Sequence, residues 1–261
     1  MTDNSLYRKD TGTSIALSPE QFERLYLSPP NAVRGNLRKT FSNPTPLGIA
    51  GLLLAITPLT CELQEWGGSY GNGVATLATY YFLGGMCSEL AAIGNFILGN
   101  TLPTTFFGIY GGFFLAFGFT MTPSSGAANK DVFPKGPEDP GVMASLGFFA
   151  IFMGVFTFVI MIGSLRTNLP LLLTFSMLGP TFVIFGCSRL YGAQGDEKML
   201  KTLQHAAGAL GFASICTGWY LFLAEILAGT DFPIQVPIFD LSQRVPSATE
   251  LSKRKRIVVD A

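Results

Sequence analysis

Six apolar blocks, each long enough to cross a lipid bilayer, constrain the fold of this chain more than any other feature. They span about 46–65, 74–98, 102–121, 142–164, 169–189 and 203–228. A membrane-spanning helix needs about 20 mostly apolar residues, and only helices and closed barrels satisfy every backbone polar group in lipid. The fourth block carries no charged residue. The sequence therefore predicts an all-α integral membrane protein, a six-transmembrane-helix bundle.

Composition agrees with this prediction and excludes other classes of protein. Only 13% of the 261 residues are charged, whereas 48% are hydrophobic, and a soluble domain usually carries about 25% charged residues. The net charge is zero, so no basic field favours nucleic acid. The four Cys are widely spaced without metal-ligand spacing, and no catalytic motif is present. We therefore expect neither an enzyme nor a bound cofactor or metal.

Polar segments flank the blocks and predict the organisation of the chain. Residues 1–42 form a polar tail that we expect to be largely disordered, 43–228 form the helical domain, and 229–261 form a C-terminal tail. The segments 122–141 and 188–202 are expected to be loops. Lys and Arg number twelve on the side that holds both tails and five on the opposite side. Because basic residues concentrate in the cytoplasm, both termini are predicted to be cytoplasmic.

The first block opens with Asn43-Pro44-Thr45-Pro46-Leu47-Gly48, a run typical of a helix start. The Asn43 side chain can accept a hydrogen bond from an unpaired backbone N–H, and Pro44 suits the first turn because its missing N–H costs nothing there. Helix initiation alone explains the run, and physical reasoning favours that interpretation. The alternative is that the positive end of this helix faces an anion at a pathway mouth.

Few ionisable groups lie within the blocks. Glu89 is in the second and Glu225 in the last, where a charge costs about 2.5 to 3.5 kcal/mol on insertion scales. Each is either a protonated, hydrogen-bonded bundle residue or a candidate for proton coupling. The only histidine, His205, is placed by the charge count at the outer edge, as a surface residue or a proton relay. Glu62 and Glu65, after the first block, are expected to be solvated.

Small residues at a spacing of four predict close helix packing. Gly108 and Gly112 form such a pair in the third block, and Ala207 and Gly211 form another in the sixth. Gly84, Gly85 and Gly208 are also expected at helix contacts. The pattern does not distinguish packing within one bundle from contacts between subunits.

Several features in a fixed order resemble a known family. Besides the run at Asn43 they are Phe82-Leu83-Gly84-Gly85, Gly99-Asn100-Thr101, Tyr110-Gly111-Gly112-Phe113-Phe114 and the spaced residues His205, Gly208, Gly211, Tyr220 and Glu225. Across about 43–228 they resemble the acetate uptake transporter family, the GPR1/FUN34/YaaH group of succinate-acetate permease-like proteins. The long polar tails suggest a fungal member.

The resemblance implies a function and a set of site residues. It implies channel-like transport of acetate and related monocarboxylates by proton symport, in the plasma membrane, through each protomer of a hexamer. An apolar constriction would be built from Leu52, Tyr110 and Met177, with the Tyr110 hydroxyl available to steer a carboxylate oxygen. The substrate path would also include Asn43, Pro44, Pro46, Leu47 and Gly48. Glu225 and His205 fall at family-like positions and Glu89 does not; all three are candidates for proton coupling, Glu89 because it lies inside an apolar block.

Departures from the family pattern leave the substrate open. They are Thr45 for Ala, Asn95 for an acidic residue, Ile109 for Ser and Phe114 for Trp. An ammonia or small neutral solute pathway of the same fold is one alternative, and a membrane sensor or scaffold without transport is another.

Overall fold

The computed structural model describes residues 41–242, 244 and 245 and consists mainly of six long helical stretches. Their bounds are α1, Thr45–Leu63; α2, 77–97; α3, Thr101–Met121; α4, Pro140–Ser164; α5, Leu169–Ala193; and α6, Glu197–Gly229. Short 3₁₀ turns lie at Trp66–Gly68, Pro123–Ser125 and Gly136–Glu138. The six stretches coincide with the six apolar blocks.

Five of these helices, all except α2, are long and apolar enough by length and composition to cross a membrane. The α2 stretch is divided into α-helical Leu77–Thr79, π-helical Tyr80–Cys87 and α-helical Ser88–Ile97. A π-helical turn holds one residue more than an α-helical turn and often marks a functional site. The π segment contains the Gly84-Gly85 pair. The structure is thus a membrane helical bundle, and a sixth span remains a prediction.

Helices that follow each other in the chain pack side by side. The chief contacts join α1 to α2, α2 to α3, α4 to α5 and α5 to α6, and α1 also packs on α6. Contacts between α3 and α4 are sparse. The bundle therefore has two three-helix halves, joined firmly at the α1–α6 seam and weakly at the α3–α4 seam.

Glycines on α1 set how closely α2 and α3 can approach it. A Cβ on Gly51 would lie 2.4 Å from the Leu83 carbonyl oxygen in the π segment, and one on Gly48 would lie 2.4 Å from the Phe107 ring. Both distances are below contact, so any larger residue would push the helices apart. Close packing against Phe107 therefore explains the glycine at position 48 in the Asn43 run.

Two expectations about the ends of the helices are wrong. The segment 188–202 is not a loop, because α5 continues to Ala193 and α6 begins at Glu197; the helices extend beyond their apolar parts. Glu62 is not solvated. It is buried, and its carboxylate accepts hydrogen bonds from Gly73 N (2.6 Å) and Thr76 Oγ1 (3.2 Å), which hold the segment before α2 against α1.

The residues after α6 pack against the end of the bundle at the α4–α5 turn. We call 231–242 the strap. Leu169 N donates to the carbonyls of Ile238 (3.2 Å) and Phe239 (3.1 Å), and Leu241 N donates to Thr167 O (3.0 Å). Ile238 is only 2% exposed and belongs to the main core cluster. The strap thus fixes the α4–α5 turn at the same end of the bundle as the start of α1.

Candidate functional site

A cavity of about 60 Å³ lies inside the bundle, between α1, α3, α5 and α6. Its walls include Leu52 and Tyr110, two of the three residues expected at a constriction. Only apolar atoms of these walls face the cavity. The other lining residues are Ile49, Leu53, Ile56, Phe106, Leu171, Thr174, Phe175, Leu178, Ser214, Ile215, Gly218 and Leu221.

The third expected residue, Met177, is not among the lining residues, and its neighbour Leu178 is. The two positions differ by about 100° around a helix, so a shift of one residue moves a side chain out of the wall. Leu178 is buried, whereas Met177 is half-buried. At this level of α5 the residue that lines the cavity is therefore Leu178.

The Tyr110 hydroxyl is committed to a protein partner. It lies 2.8 Å from Thr157 Oγ1, and the Thr157 hydroxyl in turn donates to Met153 O at 2.7 Å. Since a threonine hydroxyl has one proton, Tyr110 is the donor in the Tyr110–Thr157 bond. In this conformation the phenol proton is therefore not available to steer a carboxylate in the cavity.

The polar wall residues Ser214 and Thr174 also bond to the protein. Ser214 Oγ donates to Thr174 O at 2.9 Å, and Thr174 Oγ1 lies 2.7 Å from Thr217 Oγ1. Their hydroxyls join α5 to α6 instead of facing the cavity, which explains its apolar surface.

Stacked aromatic rings hold Tyr110 in place. Its ring is nearly parallel to those of Phe175 and Phe182, at centroid distances of 6.2 Å each, and meets Phe156 edge-on at 5.6 Å. Phe113 packs edge-on against Phe182 at 5.3 Å. This ring cluster fills the space between α3, α4 and α5, where the two helices of the weak seam have few other contacts.

A second, smaller cavity of about 10 Å³ leads toward the start of α1. Thr45, Leu102 and Pro103 line it from the end of the bundle where α1 begins. It shares four wall residues with the larger cavity, which separate the two spaces. These are Ile49, Phe106, Leu171 and Leu221.

The Asn43 run begins α1 as predicted, one residue later than expected. Asn43 Oδ1 accepts a hydrogen bond from Thr45 N at 3.1 Å, and the helix starts at Thr45 with Pro44 just before it. Pro46 occupies the first turn, and Leu47 faces away from the bundle with 46% of its surface exposed. Thr45 is the member of the run that faces a cavity.

Buried amides connect the start of α1 to the turn between α2 and α3. The Thr45 hydroxyl lies 3.4 Å from both side-chain polar atoms of Asn95, whose Nδ2 also donates to Ala91 O at 2.9 Å. Asn100 Nδ2 donates to Asn95 Oδ1 at 2.9 Å. Two of the departures from the family pattern, Thr45 and Asn95, therefore touch each other and form one neutral network.

The three candidates for proton coupling lie in different surroundings, on α2 and at two positions along α6. Glu225 is 2% exposed, lines neither cavity, and has no hydrogen-bond partner for either carboxylate oxygen among the described residues. Glu89 is half-buried against Gly111, where a Cβ would lie 2.8 Å from its Oε1. His205 is exposed at the opposite end of the bundle from Asn43, 4.0 Å from Glu65.

The predicted packing glycines differ in how closely they are packed. A Cβ on Gly211 would lie 2.9 Å from Thr60, and one on Gly208 would lie 2.7 Å from Gln64, so α1 and α6 touch at both. On Gly84 it would lie 2.7 Å from Phe114, and on Gly85 2.5 Å from Leu115, where the π segment meets α3. Gly108 and Gly112 are in ordinary contact only, at 3.6 and 3.8 Å.

Comparison with known proteins identifies the lineage of this bundle. The profile of the GPR1/FUN34/yaaH family matches residues 27–243, which is most of the chain. The chain belongs to the GPR1/FUN34/yaaH family. The matched range contains all six helical stretches and the strap. The site described above therefore lies wholly inside the family region.

Relatives and a solved structure place the chain within the GPR1/FUN34/yaaH family. "Protein alcS" of Aspergillus fumigatus is 37% identical over 88% of this chain and 87% of its own length. "Acetate transporter protein patA" of Aspergillus clavatus is 31% identical over 77% of this chain and 79% of its own length. The bacterial acetate channel SatP superposes with a TM-score of 0.64 at 25% identity, covering 76% of this chain and 99% of that chain.

Proposed function

We propose that this chain is a membrane transporter of acetate and related small monocarboxylates, whose path runs through its own six-helix bundle. The observation that carries the proposal is the cavity lined by Leu52, Tyr110 and Leu178, inside a family with members named for acetate transport. The smaller cavity beside Thr45 extends the proposed path toward one end of the bundle.

The cavity favours very small solutes. Its volume of about 60 Å³ is small. Acetic acid, with four heavy atoms, and propionic acid, with five, therefore fit this space more readily than a larger acid does.

The apolar wall favours a neutral acid over an anion. A carboxylate that enters an apolar space without a partner loses its hydration, and such a group normally takes up a proton instead. We therefore propose that the substrate crosses this part of the path with a proton. Glu225 is the candidate for proton coupling that we retain, because it is buried and lies one helical turn from Leu221, which lines both cavities.

Three further proposals rest on the charge pattern, on the family and on the packing of two glycines. The excess of Lys and Arg in the two tails supports a cytoplasmic position for both termini. The resemblance supports a hexamer in the plasma membrane. Gly108 and Gly112, whose environment is loose within the bundle, are available for contacts between subunits.

Uptake of labelled acetate into proteoliposomes tests the proposal directly. Wild-type protein should accumulate acetate faster than empty liposomes, more so with an acidic exterior, and propionate or formate should compete. Rates equal to those of empty liposomes would refute it. An ammonia pathway would instead leave acetate outside and be insensitive to propionate.

A matched pair of variants tests the route. Leu52 lines the cavity, whereas Leu54, on the same helix, is 43% exposed on the outside of the bundle. Leu52→Trp should reduce acetate uptake to near the rate of empty liposomes, because the indole fills the cavity. Leu54→Trp should leave uptake unchanged. Equal rates in the two variants would mean that acetate does not pass this cavity.

A further inference from the structure

One side of α5 faces the interior of the bundle from Leu171 to Phe182. Near the strap, Leu171, Phe175 and Leu178 line the cavity, and one or two turns further on Phe182 stacks on Tyr110. Seven residues correspond to almost two complete turns. The same stripe therefore continues from 175 and 182 to 189, and from 171 and 178 to 185.

The last residues of this stripe are an aromatic ring and a positive charge. The guanidinium carbon of Arg189 lies 4.9 Å from the centre of the Phe185 ring, within the range of a cation–π contact. Arg189 lies eleven residues beyond Leu178, which is about 16 Å along the helix. It therefore lies at the mouth of the bundle opposite Thr45, one turn before α5 ends at Ala193.

Arg189 has no acidic partner among the described residues. The Glu65 carboxylate at this end of the bundle lies 4.0 Å from His205 instead. The Arg189 side chain is half-buried rather than free in solvent. A stacked, partly desolvated guanidinium keeps its five N–H donors in a planar fork that matches a carboxylate.

We propose that Arg189, held over the Phe185 ring, forms an anion-binding site at this mouth and takes small monocarboxylates from solution onto the path. This inference rests on the proposed function. The Phe185 ring holds the Arg189 side chain in place, and the edge of the guanidinium that points away from the ring binds both oxygens of the substrate carboxylate. The acid then leaves its charge partner before it enters the apolar cavity lined by Leu52, Tyr110 and Leu178.

The test compares charge removal at Arg189 with charge removal at Lys201, which is exposed near the start of α6 at the same end. The variants are Arg189→Met, which keeps an unbranched stem, Arg189→Lys and Lys201→Met. Initial acetate uptake into proteoliposomes is measured as a function of acetate concentration at low and high salt.

Arg189→Met should raise KM about tenfold, the factor expected for a lost charged hydrogen bond, with little change in the maximal rate. Arg189→Lys should lie between it and wild type, because an ammonium group keeps the charge without the fork. High salt should raise KM in wild type more than in Arg189→Met. Lys201→Met should behave as wild type.

An unchanged KM in folded Arg189→Met would overturn the inference, and so would equal effects of Arg189→Met and Lys201→Met, which would indicate a diffuse surface charge. A lower maximal rate with unchanged KM would assign Arg189 to packing only. Failure of the proposed function is distinguishable, because wild-type protein would then show no acetate uptake.

Discussion

The hydrogen bond between Tyr110 and Thr157 makes a quantitative prediction about the centre of the bundle. Thr157→Val removes the only acceptor that the described residues offer to the buried Tyr110 hydroxyl, and a buried donor without a partner costs about 1 to 3 kcal/mol. Tyr110→Phe is milder, at about 0.5 to 1.5 kcal/mol, because Thr157 keeps its bond to Met153 O.

The double variant decides whether this hydrogen-bond geometry is correct. Replacing both partners by apolar groups of similar shape leaves no donor without an acceptor, so the double variant should be more stable than Thr157→Val alone. The free energy of unfolding can be measured by titration from detergent into a denaturing detergent. Thr105→Val is the control, because Thr105 is exposed on α3 and bonds only to its own helix at Thr101 O.

Two outcomes would refute this reasoning. If the double variant loses as much free energy of unfolding as the two single variants together, the Tyr110 and Thr157 hydroxyls are not hydrogen-bonded to each other in the folded protein. A Tyr110→Phe variant that loses acetate transport while remaining folded would mean that the phenol proton serves the substrate, and that the bond to Thr157 is broken during transport.

Two further predictions concern the buried carboxyl group and the strap. Glu225→Gln should retain acetate uptake in proteoliposomes, but a pH gradient should stimulate that uptake less than in wild type. The control Glu138→Gln, at an exposed position, should keep the full stimulation. Full stimulation in both variants would exclude Glu225 from proton coupling. Ile238→Ala should release the strap and speed amide exchange at Leu241 about ten- to 100-fold, since burying an isoleucine contributes about 1.5 to 3 kcal/mol. The control Ile234→Ala, at a residue that is 63% exposed, should leave the amide exchange rate at Leu241 unchanged. If exchange at Leu241 stays slow in Ile238→Ala, the backbone hydrogen bonds alone hold the strap.

Hydropathy predicted the positions of the helices because lipid demands a long apolar run at each crossing. Hydropathy does not show where a helix ends in water. It therefore places Arg189 and Glu197 in a loop, although both residues are helical. The signal that could have shown the start of α6 is Asp196, whose Oδ1 caps Met199 N at 3.0 Å. The sequence of the segment Tyr80–Cys87 carries no charged residue or proline that would indicate a π-helical segment.

Two of the three residues expected at a constriction line the larger cavity, and their role in a substrate path stays a prediction. Leu52 and Tyr110 face one cavity as the resemblance implied, but Leu178 takes the place given to Met177, since sequence matching cannot fix rotation about a helix to one residue. The direction of the Tyr110 hydroxyl depends on Thr157, 47 positions away. Only the folded chain shows this pair, and the same is true of the Thr45–Asn95 contact.

The strap has a consequence for the order in which the protein is made. The backbone partners of Thr167 and Leu169 are about 70 residues later in the chain, so the turn between α4 and α5 leaves the ribosome long before Ile238 and Leu241 exist. Until the end of the strap is synthesised, this end of the bundle has unpaired main-chain groups beside the two cavities. Five helices can therefore be in the membrane while the mouth beside Thr45 is still unfinished, and the strap, which is synthesised after α6, completes it.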